Sequence, residues 1–312
     1  MGKYIIKRTL QMLVTIVIVS VLIFTVVRIT PTDPIASITK GKPISAETKM
    51  ALEKEYNLDQ SMPMQYVNWV KGMFHGDFGK SYQMKESVSS ILSVRMMTTV
   101  QLVLMSSVII VLLAIPLGML SAAKMNTLLD QSLTVVSLVL VSSPSFFTGL
   151  LLMLLFTMVW PIFPTFGTAG GFIENIRYLA LPAIALAAVR MALIMRITRS
   201  NMVEQLSANY VQTATAKGLP KRKVVYKHAL KNAAIPILTV TSLELAGMLG
   251  GSVMVEKVFS LNGVGSLLAD SISKSDYPVI QSVTLLMVIV FLVSNLIVDI
   301  LYAVVDPRIR LK

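Results

Sequence analysis

The sequence predicts an all-α polytopic membrane protein. Hydrophobic residues make up 54% of the 312 residues and charged residues only 14%, whereas soluble domains carry about 25% charged residues. The apolar residues are also collected in long runs, and an α-helix needs about 20 such residues to cross a bilayer. Six runs reach that length, so we expect six transmembrane helices.

The six predicted spans follow one another along the chain with polar segments between them. They cover residues 9–27, a stretch within 96–123, and residues 131–160, 178–197, 233–255 and 277–305. Pro116, Pro144 and Pro182 lie within or beside spans, where we expect them to kink helices. An even number of spans places both termini on the same side of the membrane.

The first apolar run is predicted to be a retained span rather than a cleaved signal peptide. Lys3, Lys7 and Arg8 precede it, which suits either kind of segment. Its apolar core is longer than the usual 7–15 or so residues of a signal peptide, and no small-x-small cleavage site follows it. Residues 1–29 are therefore assigned to an N-terminal transmembrane helix.

Charges in the short loops predict which side the termini occupy, because short cytoplasmic loops carry an excess of lysine and arginine. Only Arg177, Lys257 and Lys274 lie in the short loops of one side. Fifteen basic residues lie on the side of the termini: Lys3, Lys7, Arg8, Lys124, Arg196, Arg199, Lys217, Lys221, Arg222, Lys223, Lys227, Lys231, Arg308, Arg310 and Lys312. Both termini, the tail 306–312 and the loop 200–232 are therefore predicted to be cytoplasmic.

The long segment 30–95 is predicted to be a small extracytoplasmic structure with some helix. Ser45 is a suitable N-cap for a helix over 45–56. Within the segment, Gly79-Lys80-Ser81 is similar to the end of a phosphate-binding loop, but Phe74 stands where that loop requires its first glycine. We interpret this stretch as a structural turn, and residues 96–305 as the membrane core.

The loop 200–232 has the pattern of two helices joined by a glycine turn. One apolar stripe, spaced three or four residues apart, predicts a helix over 201–216. Gly218 supplies the left-handed conformation that ends it without strain. Pro220 suits the first turn of a second helix over 221–232. The result is a helix–glycine–helix elbow, with the small residues Ala214 and Ala216 expected at its tip.

The residues argue against catalysis and against nucleic-acid binding. The chain has no cysteine, and its only histidines, His75 and His228, are predicted on opposite sides of the membrane. The acids Glu244 and Asp299 lie in different spans, whereas aspartyl chemistry needs two carboxylates placed together. The net charge of +12 comes mostly from residues at the ends of apolar runs, where they orient helices. We therefore expect no enzyme activity, no metal site and no cofactor in this chain.

Arg190 is the most unusual residue of the predicted spans. An arginine at mid-span costs about 2.5–3.5 kcal/mol on insertion scales. It is a candidate pathway or gating residue that meets a substrate carboxylate or Glu244, and Glu244 is a candidate of the same kind. The alternatives are an ion pair internal to the helix bundle or a misplaced span edge. Asp299 and Arg308, near the predicted cytoplasmic end of the sixth span, are interpreted as structural.

The order of short motifs resembles the permease subunits of binding-protein-dependent ABC importers, in the branch that handles dipeptides, oligopeptides and nickel. The resemblance covers nearly the whole chain. Its motifs are the Pro31-x-Asp33-Pro34 exit of the first span, Leu58-Asp59-Gln60, Gly76-Asp77-Phe78-Gly79, Ser143-Pro144-Ser145-Phe146-Phe147, Thr198-Arg199-Ser200, Asn262-Gly263-Val264-Gly265, Asp276-Tyr277-Pro278 and Asp306-Pro307-Arg308.

The resemblance also assigns a role to the elbow. Members of this family carry a Glu-Ala-Ala-x-x-x-Gly motif that docks in a groove of the ATPase. Here the glycine falls on Gly218 and the triplet on Gln212-Thr213-Ala214, so the acid is absent and any ion pair it makes is not implied. The implied ATPase-coupling residues are Tyr210, Gln212, Thr213, Ala214, Ala216, Lys217 and Gly218.

What the resemblance implies overall is the type I importer permease fold, in the cell membrane. The chain would pair with a second homologous permease, two ATPase subunits and an extracytoplasmic solute-binding protein, and ATP and Mg would be bound by the ATPase subunits. The implied substrates are di- and oligopeptides, with nickel or a metal chelate as an alternative. An ion-gradient-driven secondary transporter is the rival of another class.

Overall fold

The computed structural model describes residues 2–29, 33–164, 167 and 172–305, and within these ranges the chain is almost entirely helical, without a β-strand. The first helices are α1 (Gly2–Ile29), α2 (Pro34–Thr39), α3 (Ala46–Glu55), α4 (Met62–Phe74), α5 (Val88–Ala123) and α6 (Leu128–Ser142). Then come α7 (Ser145–Met153) with a π-helical continuation (Leu154–Val159), α8 (Phe172–Leu206), α9 (Asn209–Ala216) and α10 (Lys221–Lys223). A second π-helical stretch (Val224–Ala229) leads into α11 (Leu230–Ala246), followed by α12 (Met248–Val258), α13 (Val264–Ser273) and α14 (Tyr277–Val305).

The all-α prediction is confirmed, and the number of membrane crossings is four to six. Four helices, α1, α5, α8 and α14, are long and apolar enough to cross a membrane. Six crossings result if the bent pairs α6–α7 and α11–α12 each count as one span. The chain then ends on the side where it starts, as the sequence predicts.

The third predicted span, 131–160, is not one straight helix. The α6–α7 pair bends by 108°, at Ser143 and Pro144, whose ψ angles of 125° and 143° are extended. Proline has no N–H to donate and disfavours helical backbone at the residue before it. The predicted kink at Pro144 is therefore a full break, whereas Pro116 and Pro182 lie inside the unbroken helices α5 and α8.

Helices α5 and α8 pack along each other through the centre of the bundle. Leu102, Ile110, Leu186 and Ile194 are among their fully buried side chains. The two helices come close at Gly118, where an added Cβ would lie 2.6 Å from Met195 O and 2.6 Å from Thr198 Cβ. Glycine has no side chain to fill this space, so Gly118 allows the two helices to pack this closely.

The segment between α1 and α5 forms a small lobe, residues 33–87, at the end of the bundle where α5 begins. The predicted Ser45 cap is confirmed, because the Ser45 side chain accepts a hydrogen bond from Thr48 N–H. The lobe is fastened by Asp276, which is 2% exposed. Its carboxylate accepts bonds from Ser81 Oγ at 2.5 Å and from Tyr82 N–H at 3.0 Å. Burial raises the pKa of Tyr82 to about 12.

A buried carboxylate near the lobe fastens α13 to the bundle. Glu256 is fully buried, and it accepts bonds from Thr99 Oγ1 and Ser266 N–H, both at 2.8 Å. Thr99 in turn accepts a bond from Val264 N–H at 2.8 Å. Gly263 lies directly against the Glu256 carboxylate and leaves no room for a side chain. The motif 262–265 thus closes the turn between α12 and α13.

Candidate functional site: a helical elbow and an ion pair between spans

The elbow, residues 209–229, lies at the other end of the bundle, beyond the last turns of α5 and α8. Its first helix, α9, ends in a Schellman motif: Gly218 N–H donates to Thr215 O at 2.9 Å and Leu219 N–H donates to Ala214 O at 3.3 Å. Gly218 has a φ of +75°, as its predicted role requires. After Pro220, α10 starts at Lys221, and Lys223 N–H donates to Pro220 O.

The elbow has a small apolar core of its own. Val211, Ala214 and Val224 are buried together, and Leu219 packs against them. Ala214 is only 7% exposed, so the expectation that it lies at the tip is wrong. The reason is helical periodicity, because Ala214 is three residues from Val211 and shares its inward face.

The other predicted coupling residues lie on the outer surface of the elbow. Tyr210, Gln212, Thr213, Ala216, Lys217 and Gly218 are exposed. Tyr210 OH donates to Gln205 Oε1 at 2.8 Å, and Thr213 Oγ1 donates to Asn209 O at 3.0 Å. The structure thus brings six of the seven predicted residues to one exposed knob, and their role in coupling stays a prediction.

The single helix predicted over 201–216 is wrong. Helix α8 ends at Leu206, and α9 begins at Asn209 after Ala208, whose ψ of 147° is extended. The two halves of the predicted stripe serve different cores. Met202 and Leu206 pack toward α5 and α11, whereas Val211 and Ala214 pack within the elbow. One straight helix cannot direct both halves to their separate partners.

The second arm of the elbow continues without interruption into the membrane bundle. Residues 221–246 form one helical path, from α10 through the π-helical stretch into α11, well past the predicted end at 232. Val225, Ala229 and Ala233 pack against Met119 and Met202 at the ends of α5 and α8. The elbow is therefore joined to the fifth crossing by a helical path and by apolar packing.

The structure brings the two predicted pathway residues together. Arg190 Nη1 on α8 lies 2.9 Å from Glu244 Oε2 on α11, and Arg190 Nη2 donates to Gly247 O at 2.8 Å. The two side chains are 19% and 25% exposed. Arg190 lies near the middle of the 35-residue helix α8, and its depth in the membrane stays a prediction. Both the bundle ion pair and the pathway role are compatible with this geometry.

The Arg190 side chain also faces an open cavity at the α6–α7 break. The cavity has a volume of about 310 Å³, and its lining includes Ser142, Ser143, Ser145, Arg190 and Gly251. Gly251 allows the guanidinium to lie close, since an added Cβ would be 3.0 Å from Arg190 Nη2. A cavity with hydroxyl groups and a guanidinium beside a helix break is suited to polar solutes in the membrane.

Sequence reasoning missed a second ion pair, near the elbow. Arg199 Nε and Nη2 donate to Asp130 Oδ1 and Oδ2 at 2.6 and 2.8 Å. Ser121 Oγ also donates to Asp130, whose side chain is 4% exposed. The spacing Thr127-x-x-Asp130 is a pattern of helix starts and marks the beginning of α6, but it gives no sign of the partner Arg199. The pair fastens the α5–α6 turn to α8.

The remaining predicted residues lie at the edge of the bundle or outside the described ranges. Asp299 is paired with Arg8 at 3.2 Å, between α14 and α1, which agrees with a structural role. Arg308 and the tail 306–312 lie outside the described residues. Within the described ranges, no three His, Cys, Asp or Glu side chains are grouped as metal ligands.

Comparison with known families accounts for this architecture. The model of the family described as binding-protein-dependent transport system inner membrane component matches residues 114–311, and that of its N-terminal region matches residues 1–103. The chain belongs to this family. It is thus a permease subunit of a transport system, and a multi-pass protein of the inner membrane.

Curated relatives match this permease along its full length. The oligopeptide transport system permease protein AppB of Bacillus subtilis is 37% identical over 99% of this chain and 100% of its own. The glutathione transport system permease protein GsiC of Salmonella choleraesuis is 36% identical, and the dipeptide transport system permease protein DppB of Escherichia coli is 32% identical. Both of these alignments cover 100% of each chain.

Proposed function

We propose that this permease subunit imports di- or oligopeptides as part of an ABC importer and takes the energy for transport from ATPase subunits that dock on its elbow. A second homologous permease completes the pathway, and an extracytoplasmic solute-binding protein delivers the peptide to the lobe end. The elbow and both termini lie in the cytoplasm. ATP and Mg are bound by the two ATPase subunits, so this chain does not hydrolyse ATP.

The observation that carries the proposal is the construction of the elbow. It has its own apolar core, an exposed outer surface and a continuous helical path into the bundle. A surface that only had to stay soluble would not need such a core. A knob that is rigid and firmly attached to α11 is suited to transmit movement from a partner.

The path of that movement runs from Gly218 to the Arg190–Glu244 pair. The 26 residues from Lys221 to Ala246 form one helical rod, with a π-helical stretch at its start and Pro236 inside it, and its length is about 40 Å at 1.5 Å per residue. Glu244 lies in its last turn, where Arg190 of α8 binds it. When the ATPase subunits close on ATP, they displace the elbow, and the rod then moves against α8 beside the cavity at the α6–α7 break. The pathway switches between its two openings by this rigid movement.

Peptides are the substrate class that the relatives support. The three relatives named above are permeases for oligopeptides, glutathione and dipeptides, and glutathione is itself a small peptide. Nickel, the alternative from sequence, is not favoured by these relatives. An ion-gradient-driven mechanism is disfavoured as well, because the family is that of binding-protein-dependent systems.

The test uses Gly218→Pro in the assembled transporter, with Gly41→Pro as its matched control. Both glycines have left-handed backbone, with φ of +75° and +73°, and each N–H donates one bond of 2.9 Å. Proline fits neither position, because its φ is fixed near −65° and it has no N–H. We expect Gly218→Pro to lose ATPase subunits on purification and to lose ATP-driven peptide uptake, and Gly41→Pro to keep the ATPase subunits.

Crosslinking gives an independent test of docking. The natural chain has no cysteine, so single cysteines can be introduced directly. A cysteine at the exposed position Ala216 should crosslink to an ATPase subunit, whereas one at the buried position Ala214 should not. Full uptake by Gly218→Pro, or equal crosslinking at both positions, would contradict docking at this knob.

A further inference from the structure

The largest concentration of unsatisfied polar groups lies far from the elbow, around a cavity at the lobe end. The cavity has a volume of about 400 Å³ and lies between the end of α1, helix α4, the loop after α4 and the start of α14. Four of its lining residues hold a buried side-chain atom without a hydrogen-bond partner among the described residues: Arg28 Nε, Gln65 Oε1, Trp69 Nε1 and Gln281 Nε2.

Such groups are rare in folded proteins, and each costs about 1–3 kcal/mol when it is left unpaired. The described ranges contain four other atoms of this kind, on Thr157, Thr198, Thr241 and Asn295, and none of these residues lines the cavity. Gln281 is only 4% exposed, so bulk water does not readily supply its missing partner. The clustering of four such groups around one space indicates a ligand.

The chemistry of the four atoms indicates the kind of ligand. Three of them are N–H donors, and one of the three belongs to the Arg28 guanidinium. The only unpaired acceptor is Gln65 Oε1, whose orientation is set because Gln65 Nε2 donates to Gln60 O at 2.8 Å. A ligand that satisfies this set is an anion with several acceptor oxygens and one donor of its own.

The carboxylates near the cavity do not neutralise Arg28. Glu55 is paired with Lys80 at 2.6 Å, and its hydrogen bond raises the pKa of Lys80. Asp77 Oδ1 accepts a bond from Gly79 N–H at 2.9 Å. Within the described ranges Arg28 has no ion pair with an acid, and its guanidinium lies 5.3 Å from the Phe24 ring centroid. The positive charge therefore stays available to an anion.

An apolar groove leads away from the cavity along the side of α1. It has a volume of about 270 Å³ and shares Phe24 and Arg28 with the cavity, and Val21, Ile29 and Met62 also line it. Val21 is 44% exposed and Ile29 is 73% exposed, so this side of the first span faces outward. Tyr66 and Trp69 of the lobe helix α4 pack against Phe24 near the end of the first span, and aromatic residues at such a place are typical of the membrane interface.

We propose that the cavity and groove together bind one phospholipid. The phosphate accepts bonds from Arg28, Trp69 and Gln281 in the cavity, a hydroxyl or ammonium of the head group donates to Gln65 Oε1, and an acyl chain lies in the groove along α1. The occupant is a glycerol or ethanolamine phospholipid, because a choline head has no N–H or O–H to donate. This site is independent of the coupling proposed above.

Native mass spectrometry of the complete transporter, released from nanodiscs of dioleoyl phosphatidylglycerol and dioleoyl phosphatidylcholine in equal amounts, tests the site. We expect one phosphatidylglycerol to stay bound to the wild-type chain. Arg28→Met removes the guanidinium with its charge and Gln281→Leu removes the side-chain amide, and each should weaken binding at least about tenfold, since a bond to a charged group is lost. Arg177→Met is the matched control, because Arg177 also lies near a span end but donates to Ile162 O.

Four results would overturn the proposal. Equal retention of both lipids would show that the head group is not recognised. If the wild type and Gln281→Leu retain phosphatidylglycerol equally, the lipid binds elsewhere. The Gln281→Leu variant keeps the experiment decisive if Arg28→Met fails to fold. If glycerol 1-phosphate raises the thermal midpoint of the transporter as much as phosphatidylglycerol does, the cavity binds a free phosphate ester. Binding of no phosphatidylglycerol at all would leave the cavity to water.

Discussion

Removal of the Glu244 charge is the sharpest test of the pathway assignment. In Glu244→Gln, Arg190 keeps its bond to Gly247 O but loses the charged bond of 2.9 Å that fastens α8 to α11. Hydrogen bonds to charged groups contribute about 1.5–3 kcal/mol. The Arg190 and Glu244 side chains are 19% and 25% exposed to solvent, which weakens their bond toward about 1.5 kcal/mol. That free energy corresponds to about a tenfold change in a conformational equilibrium.

The assay compares coupling with stability in proteoliposomes that hold the complete transporter and its binding protein. We expect Glu244→Gln to raise ATP hydrolysis without peptide up to about tenfold and to lower peptide uptake per ATP, because the rod from the elbow is no longer fastened at its end. Arg190→Met should have the same effect, and the double variant should add little to either single change. Asp299→Asn, which alters the Arg8–Asp299 pair at the bundle edge, is the control.

The result that refutes the pathway role is specific. Peptide uptake per ATP could stay unchanged in Glu244→Gln, Arg190→Met and the double variant while their thermal midpoints fall. The Arg190–Glu244 pair would then be only an ion pair that stabilises the bundle. If Asp299→Asn uncouples transport as strongly as Glu244→Gln, the effect comes from loosening any pair of helices, and the position beside the cavity has no special importance.

Two further predictions concern packing and pH. Gly118→Ala should be less stable than Gly250→Ala by about 1–3 kcal/mol in thermal unfolding of the transporter, because its Cβ would overlap Met195 O whereas that of Gly250 meets nothing within 4 Å; equal midpoints would contradict the close α5–α8 crossing. Tyr82 should stay protonated in the fold while the unfolded chain ionises near pH 10, so its contribution is present below pH 10 and is lost as pH rises to about 12. That loss is about 3 kcal/mol, and alkaline unfolding followed by circular dichroism should show a smaller decrease over this range in Tyr82→Phe than in the wild type.

Much of this fold is readable from the sequence, because the bilayer imposes strong rules on it. Apolar run lengths predict the crossings, and Gly218 followed by Pro220 predicts the elbow. The left-handed backbone of Gly218 agrees with that prediction. The sequence does not show which neighbouring helices each apolar face packs against. The stripe through Met202 and Ala214 reads as one helix, since the pattern does not reveal that its two halves belong to different cores.

The buried polar fasteners were the least predictable part of the structure. Asp130, Glu256 and Asp276 bind partners that are distant in the sequence. Asp130 binds Arg199, which is 69 residues away, and Asp276 binds Ser81, which is 195 residues away. Nothing local marks them as buried. Arg190 was found because a charge in the middle of an apolar run is costly, and the identity of its partner followed only from the fold.

Gly247 gives Arg190 a second acceptor beside the carboxylate of Glu244, at the point where α11 ends. The helical path that starts at Lys221 passes Pro236 and ends at Ala246, before the 48° bend into α12. Arg190 binds on both sides of that end, with one nitrogen on Glu244 and the other on Gly247 O. In the proposed coupling, movement of the elbow therefore reaches α8 next to the start of α12. A guanidinium suits this position, because its planar fork holds two acceptors at once while a lysine would hold them through a single flexible amine.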